Sequence, residues 1–399
     1  MRLALACTAA LLLASAHAAE PGEAARRLAQ EAVIVDTHID APYMLNKQWR
    51  DLGFDAPGVE FDYPRARRGG LDVAFMSIYT SPEEDAAGTA RQRAHQQIDS
   101  GEALVARHPD KFALLRSPAD LDRLRAGGRV LLALGMENGA PIGDDLAQLE
   151  AFHRRGVRYI TLAHSHSNRI ADGSYSLARP HGGLSAFGER VVAEMNRLGI
   201  MVDVSHLSDD AARDVLRVTK APVIASHSGM RHFTPGFERN LSDELAKAIA
   251  ANGGVIQIVF GSGFIDAKAA ADTLAYFRAL AEFERELEAA QARGEAPKKT
   301  LAQFDAEWEA AHPMPATRME QVVDQIDYAV KLVGEDHVGI GSDFDGVSGA
   351  LPEGLRTVAD YPNLIEALRQ RGYSDARLRK ILGGNLLRVW REVEARAQR

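Results

Sequence analysis

The 399-residue chain is 46% hydrophobic and 26% charged, with a formal net charge of −8. That length and apolar content allow one large buried core and exclude collagenous, low-complexity and disordered classes. An acidic balance, with no run of Lys and Arg able to track a phosphate backbone, excludes nucleic acid as an expected partner.

At the N-terminus Arg2 precedes an apolar run from Leu3 to Leu13, and Ala16-His17-Ala18 stands before Ala19-Glu20. The pattern is that of a secretory signal peptide over residues 1–18, cut near Ala18, and it predicts a periplasmic or secreted protein. The run is shorter than the ~20 residues that span a bilayer, so no stable membrane anchor is expected. Cys7 is the sole cysteine and lies in the segment to be removed, which leaves the mature chain without thiols or disulfides.

Residues 19–399 read as a single barrel domain. Short apolar runs alternate with helical periodicity, the pattern of buried parallel strands in a βα repeat. The expected strands are Val33–Asp36, Val73–Tyr79, Val130–Met136, Tyr159–Ala163, Met201–Ser205, Val223–Ser226, Val255–Phe260 and Val338–Ser342. Amphipathic stretches at Leu146–Arg155, Ala186–Leu198, Asp209–Val218 and Asp243–Ala251 supply crossover helices. Eight such units predict an α/β fold, a (β/α)8 TIM-type barrel, with an open doubly wound sheet as the alternative. From Ser262 to Arg318 the rhythm gives way to a segment rich in Ala, Glu and Arg, read as a helical excursion over the barrel mouth. It runs into a helix at Met319–Val333, and Leu364–Arg371 and Leu378–Ala395 close the chain.

The residues able to do chemistry stand at the C-terminal ends of these runs. Thr37-His38-Ile39-Asp40 closes the first, and alternation along an extended chain turns His38 and Asp40 to one side. On its own such a pair is more often structural than functional. The third run ends at Glu137, the fifth at His206, the sixth at His227, and the eighth leads into Asp343. Any one of these histidines would more simply be a hydrogen-bonded core residue. Imidazole and carboxylate arriving from five strands at the C-terminal face is the arrangement of a catalytic barrel.

Counting donors suggests two ions, one held by His38 and Asp40, the other by His206 and His227, with Glu137 as the available bridge. Some barrel hydrolases bridge their metals with a carbamylated lysine from the fourth strand. Here that strand ends in Thr161-Leu162-Ala163-His164, without a lysine, which favours a carboxylate. Nitrogen and oxygen ligands without thiolate suit two Zn²⁺ per chain, with Mn²⁺ or Co²⁺ as substitutes.

The chain resembles the membrane (renal-type) dipeptidases, of the metallo-dependent hydrolase superfamily. The likeness runs from Val35-Asp36-Thr37-His38-Ile39-Asp40 to Gly341-Ser342-Asp343-Phe344-Asp345-Gly346. Its most specific stretch is Gly183-Leu184-Ser185-Ala186-Phe187-Gly188, followed by Met195-Asn196-Arg197-Leu198-Gly199-Ile200 and Val202-Asp203-Val204-Ser205-His206. The resemblance implies that His38, Asp40, Glu137, His206 and His227 hold two zinc ions, with Glu137 between them. It further implies that His164 stabilises the oxyanion, Arg239 holds the substrate carboxylate and Asp343 handles protons.

Those roles agree with what amide hydrolysis needs. A water acidified by two ions is a nucleophile at neutral pH. Asp343 can pass its proton to the leaving amine, His164 faces the developing negative charge, and Arg239 suits a free carboxylate. A dipeptide is therefore the expected substrate, and a homodimer is compatible with the sequence. Another small amide, a β-lactam or a lactone would be attacked by the same chemistry, and a non-hydrolytic tailoring or binding protein is the reading from a different class.

The remaining candidates carry blander expectations. His166, Asp203 and Asp345 read as structural or as supports for ligands, and His337 as a residue of the opposite face. His95, His108, His153 and His312 read as surface residues, and His181 and His232 as loop residues near the mouth. Two stretches depart from the family pattern, Val259-Phe260-Gly261-Ser262-Gly263-Phe264 and the Gln325 and Tyr328 positions, where many relatives place histidine.

Overall fold

The computed structural model describes residues 20–296 and 298–398. The expected signal peptide and Cys7 lie outside these residues. Nine strands form: β1 (Ile34–Ile39), β2 (Leu71–Tyr79), β3 (Phe112–Leu114), β4 (Val130–Glu137), β5 (Val157–Thr161), β6 (Met201–Asp203), β7 (Ile224–Ser228), β8 (Val255–Ile258) and β9 (Val338–Ile340). Eight of them follow one another in the order β1-β2-β4-β5-β6-β7-β8-β9, and all the pairings are parallel. Every residue of β1 and of β4 to β9 is buried, because helices cover the outside and side chains fill the inside. That two-sided burial is why the strands read as continuous apolar runs.

The last gap, between β9 and β1, is closed by a single parallel bridge from Ile39 to Phe344. Asp40 N–H donates to Phe344 O at 2.8 Å and Asp343 N–H to His38 O at 3.1 Å. The result is a nearly closed (β/α)8 barrel, the expected fold class. The strip β3 was not expected; its three residues pair with β4 outside the ring, too short to show a period. Several strands stop earlier than expected. β5 ends at Thr161 rather than Ala163, β6 at Asp203 rather than Ser205, and β9 at Ile340 rather than Ser342. In each case the chain leaves the sheet early and bends its polar residues over the barrel mouth.

The helices Ala186–Leu198, Asp209–Val218 and Asp243–Ala251 have the expected bounds, each capped by a serine, Ser185, Ser208 and Ser242, that accepts a hydrogen bond from an amide of the first turn. The excursion after β8 contains helices Ser262–Ile265, Ala267–Ala292 and Leu301–Ala311. Phe283 stacks on Phe304 with centroids 4.9 Å apart, joining the two longer helices, and Phe277 stacks on Tyr175 of the barrel at 4.0 Å. The expected final helix is interrupted: Asp375–Arg379 and Asn385–Arg396 are joined through Lys380–Gly384. A Cβ at Gly383 would lie 2.6 Å from Val33 O, so the chain approaches β1 more closely there than any other residue allows. None of the described helices is long and apolar enough to cross a membrane.

Inside the barrel Phe75, Tyr159 and Trp390 pack together, with centroid separations of 5.4 and 5.2 Å from Phe75. Tyr159 fits because β4 carries Gly135 beside it; a Cβ there would sit 2.0 Å from the phenol ring. Its hydroxyl is thereby aimed at the mouth.

Candidate metal centre

Glu137, the last residue of β4, stands at the middle of the mouth. Its Oε2 lies 3.3 Å from His38 Nε2, and its Oε1 lies 3.0 Å from His206 Nε2, 3.3 Å from His227 Nε2 and 3.4 Å from His164 Nε2. Ser77 Oγ donates to Oε2 at 3.1 Å. Asp40 Oδ2 is 3.4 Å from His38 Nε2. Three overlapping groups have ligand atoms within 4.8 Å of one another: His38, Asp40 and Glu137; Glu137, His164 and His206; and His38, His227 and Asp343. The structure thus brings all of the residues singled out for metal binding into one cluster. It also places the Nε2 of His164 and the carboxylate of Asp343 within that cluster. Arg239, from the loop after β7, joins them: its Nη2 donates to His206 Nε2 at 2.9 Å and to His227 O at 2.9 Å, and its Nη1 to Ser228 Oγ at 3.1 Å.

Local backbone geometry delivers these side chains. Asp40 does not continue the strand as alternation predicted; it starts the helix Ala41–Lys47, and still reaches His38. His206 and Asp343 lie beyond the ends of β6 and β9 with φ of 67° and 66°, in the left-handed region that non-glycine residues avoid. Such strain persists where the surroundings over-determine it. The His206 carbonyl accepts from Ser174 N at 2.7 Å, and Asp343 N donates into β1.

Hydrogen bonds on the far side of the rings decide which nitrogen faces the cluster. The Tyr159 hydroxyl donates to Thr37 O at 2.9 Å, so the contact at 2.9 Å between that oxygen and His38 Nδ1 requires the proton on Nδ1. Likewise Ser226 Oγ donates to Asp203 at 2.6 Å, which leaves His227 Nδ1 as the donor in their 2.8 Å contact. His206 Nε2 accepts from Arg239. The Nε2 lone pairs of His206 and His227 consequently face each other at 2.9 Å, next to a carboxylate oxygen. Only a cation reconciles such a set. His38 Nε2 and Asp40 Oδ2 are also buried without a hydrogen-bond partner. Nitrogen and oxygen donors with carboxylate charge fit a divalent metal of the zinc, manganese or cobalt type.

The electrostatics follow from enclosure. Burial alone would raise the Glu137 carboxyl, but positive charge on His38 and His164 holds it well below the usual carboxylate range. Burial depresses His206 and His227 well below the ordinary imidazole value, helped by Arg239 and His164 for His206 and by His38 and Arg239 for His227. His38 goes the other way: burial opposes its charge, but Tyr159, Glu137 and Asp40 together raise it well above the ordinary value. Asp343 is pushed up to about 8, first by burial and then by the neighbouring Asp40 carboxylate.

The family of membrane dipeptidases, peptidase family M19, matches residues 22–399. The chain belongs to that family. An uncharacterized dipeptidase of Schizosaccharomyces pombe is 32% identical over 391 residues, covering 92% of this chain and 82% of the relative. The probable dipeptidase PvdM from Pseudomonas aeruginosa superposes with a TM-score of 0.80 at 30% identity, over 94% of this chain and 98% of PvdM. A metallo peptidase from Rhodobacter sphaeroides, solved with a phosphinate mimic of the dipeptide L-Ala-D-Ala, gives a TM-score of 0.73 at 26% identity, over 91% of this chain and 99% of that one. The protein is accordingly a metallo-hydrolase of the M19 dipeptidase family.

Within this family member, several partners at the site were not singled out from sequence. Tyr159, Ser226 and Ser77 hold His38, His227 and Glu137, yet each looks like an ordinary strand residue. Asp203 accepts from the amides of Ser205 and Ser226, which ties β6 to β7 beneath the two histidines. Asp345 exchanges hydrogen bonds with Glu60, accepting from its amide at 2.7 Å and donating its own at 2.6 Å. His166 Nε2 meets Glu284 Oε2 of the excursion at 3.5 Å. Gln325 and Tyr328 take structural partners: Gln325 Oε1 accepts from Met230 N at 2.6 Å and the Tyr328 hydroxyl donates to Asp243 at 2.7 Å. His108, expected at the surface, is buried against Asp51 at 2.6 Å, because the helix Ala90–Arg107 ends under a loop.

Proposed function

We propose that this protein is a zinc-dependent dipeptidase acting outside the cytoplasm, with two ions seated on His38, Asp40, Glu137, His206 and His227. The observation that carries this reading is the pair of facing imidazole lone pairs, on His206 Nε2 and His227 Nε2, held 2.9 Å apart beside the Glu137 carboxylate. When bound, the ions supply Lewis acidity, which acidifies a water and polarises the scissile carbonyl.

The chain's own residues do the rest. Arg239 is 2% exposed and fixed through Ser228 and the His227 carbonyl, so its guanidinium offers a preset partner for a substrate carboxylate. His164 is the least enclosed of the four histidines; its side chain is 19% exposed and its Nε2 faces the cluster, placing an imidazole where negative charge develops. Asp343, lifted to about 8 in the metal-free protein, gives up its proton as cations load, and the carboxylate so freed can take the proton of the attacking water and return it to the leaving amine. Arg239 and Asp343 are buried, 2% and 7% exposed, which strengthens their electrostatic action on a bound substrate.

The test is amine release from a panel of dipeptides by zinc-loaded protein, with a chelated control. Turnover that disappears with chelator and returns with zinc supports the proposal; no turnover of any dipeptide by protein holding about two ions per chain overturns it.

A further inference from the structure

Tyr175 lines the site and has no part in the mechanism above. It sits in the loop after β5 and is 7% exposed. Its ring stacks on Phe277 of the Ala267–Ala292 helix with an interplanar angle of 17°, approaches Phe237 at 5.9 Å, and stands edge-on to His206 at 6.2 Å. The ring is clamped between the barrel and the excursion. Its hydroxyl has no hydrogen-bond partner among the described residues. The edge-on contact with His206 sets the ring at the rim of the metal centre, where the charges of Arg239, Asp343 and Glu137 act on it. Burial keeps the phenol protonated far above its ordinary range, and it can serve only as a neutral donor.

Arg239 flanks the same imidazole. Its guanidinium lies 5.0 Å over the Phe264 ring, again from the excursion, and its Nε is buried without a partner. A buried guanidinium with an unused N–H and a phenol with an unused, accessible O–H, both bordering His206, make a pair of donors matched to the two oxygens of a carboxylate. Nothing else about Tyr175 requires a hydroxyl, since phenylalanine would stack on Phe277 equally well.

We propose that Tyr175 is a second ligand of the substrate's free carboxylate, donating its hydroxyl hydrogen beside Arg239, and that Phe277 and Phe264 hold the two donors in place. This rests on the dipeptidase reading, and it assigns the excursion a part in recognising the C-terminal end of the substrate.

Tyr175→Phe keeps the ring and removes only the hydroxyl. In zinc-loaded protein it should raise KM for a free-carboxylate dipeptide about 10–100-fold, the loss expected for a hydrogen bond to a charged group, with kcat little changed. Turnover of the same dipeptide as its C-terminal amide should be unaffected, and metal content and thermal midpoint should match the wild type, which a merely structural role would not predict. Phe277→Ala, which frees the ring, should move KM in the same direction. An unchanged KM in Tyr175→Phe, or an equal loss for dipeptide and amide, overturns the proposal. Should the wild type turn over no dipeptide, the dipeptidase reading fails by itself, and calorimetric titration with the intact dipeptide and its amide decides Tyr175 separately. Weakening confined to the free carboxylate then supports the assignment; retained affinity in the variant, or no binding to the wild type, overturns it.

Discussion

The Tyr159 hydroxyl and His38 Nδ1 lie 2.9 Å apart inside the barrel, a contact from β5 to β1. It holds the His38 proton on Nδ1 and leaves Nε2 free for a cation. Tyr159→Phe should lower the affinity of one metal ion about 10–100-fold, the usual cost of losing a support behind a metal-binding histidine. Competition with a chelator of known affinity measures this, and activity should return at high zinc. Unchanged affinity would mean that the ring orientation is set by packing alone.

Glu137 touches four imidazoles and His206 only one edge of the cluster, which separates two variants. Glu137→Gln should reduce occupancy of both metal positions, whereas His206→Ala should weaken chiefly one. Metal analysis after dialysis distinguishes them. Full occupancy of both positions in the Glu137 variant would assign the bridge to another group.

Binding and chemistry should likewise come apart at the next pair. Arg239→Ala should cost on the order of 2–5 kcal/mol in kcat/KM for free-carboxylate dipeptides, because a buried partner charge loses its mate, and should cost their amides much less. Asp343→Asn should keep metal and substrate affinity while kcat falls by roughly 10²–10⁴ for dipeptide and amide alike. Steady-state kinetics on both substrates reads the contrast.

Metal loading should release protons at pH 7. In the metal-free protein His38 is held well above the ordinary imidazole range and Asp343 at about 8, so both carry protons that a cation displaces. Apparent affinity should therefore climb with pH through about 8. For the metal-free fold the sign is opposite. A carboxyl whose folded value is raised from 3.8 to about 8 keeps a proton the unfolded chain has released, so stability falls as pH climbs through that window. Asp343→Asn should flatten the decline. Calorimetry in buffers of differing ionisation enthalpy, and thermal melts across the same range, check the two halves.

The barrel was legible because parallel strands buried on both faces read as apolar runs, and the cluster because its donors lie at the C-terminal ends of those runs. What escaped the sequence has a common physical cause. β3 gains its strand character only from pairing with β4, and three residues show no period. Strand ends at His206 and Asp343 were read too long because the left-handed turns that lift them are compensated by distant hydrogen bonds, not by local residue choice. Tyr159, Ser226 and Tyr175 look like filler in one dimension; their hydroxyls matter only once partners far along the chain are brought to them. His108 was misread for the same reason, since Asp51 lies 57 positions away.

Gly135 carries no functional group, and its α-carbon belongs to β4, yet the space where its side chain would stand is filled by the Tyr159 ring. A methyl group introduced there would push the phenol away from His38 and register as weakened metal binding, although the altered residue is no ligand. Space left empty by one strand is thus as much a part of the metal centre as the side chain that fills it.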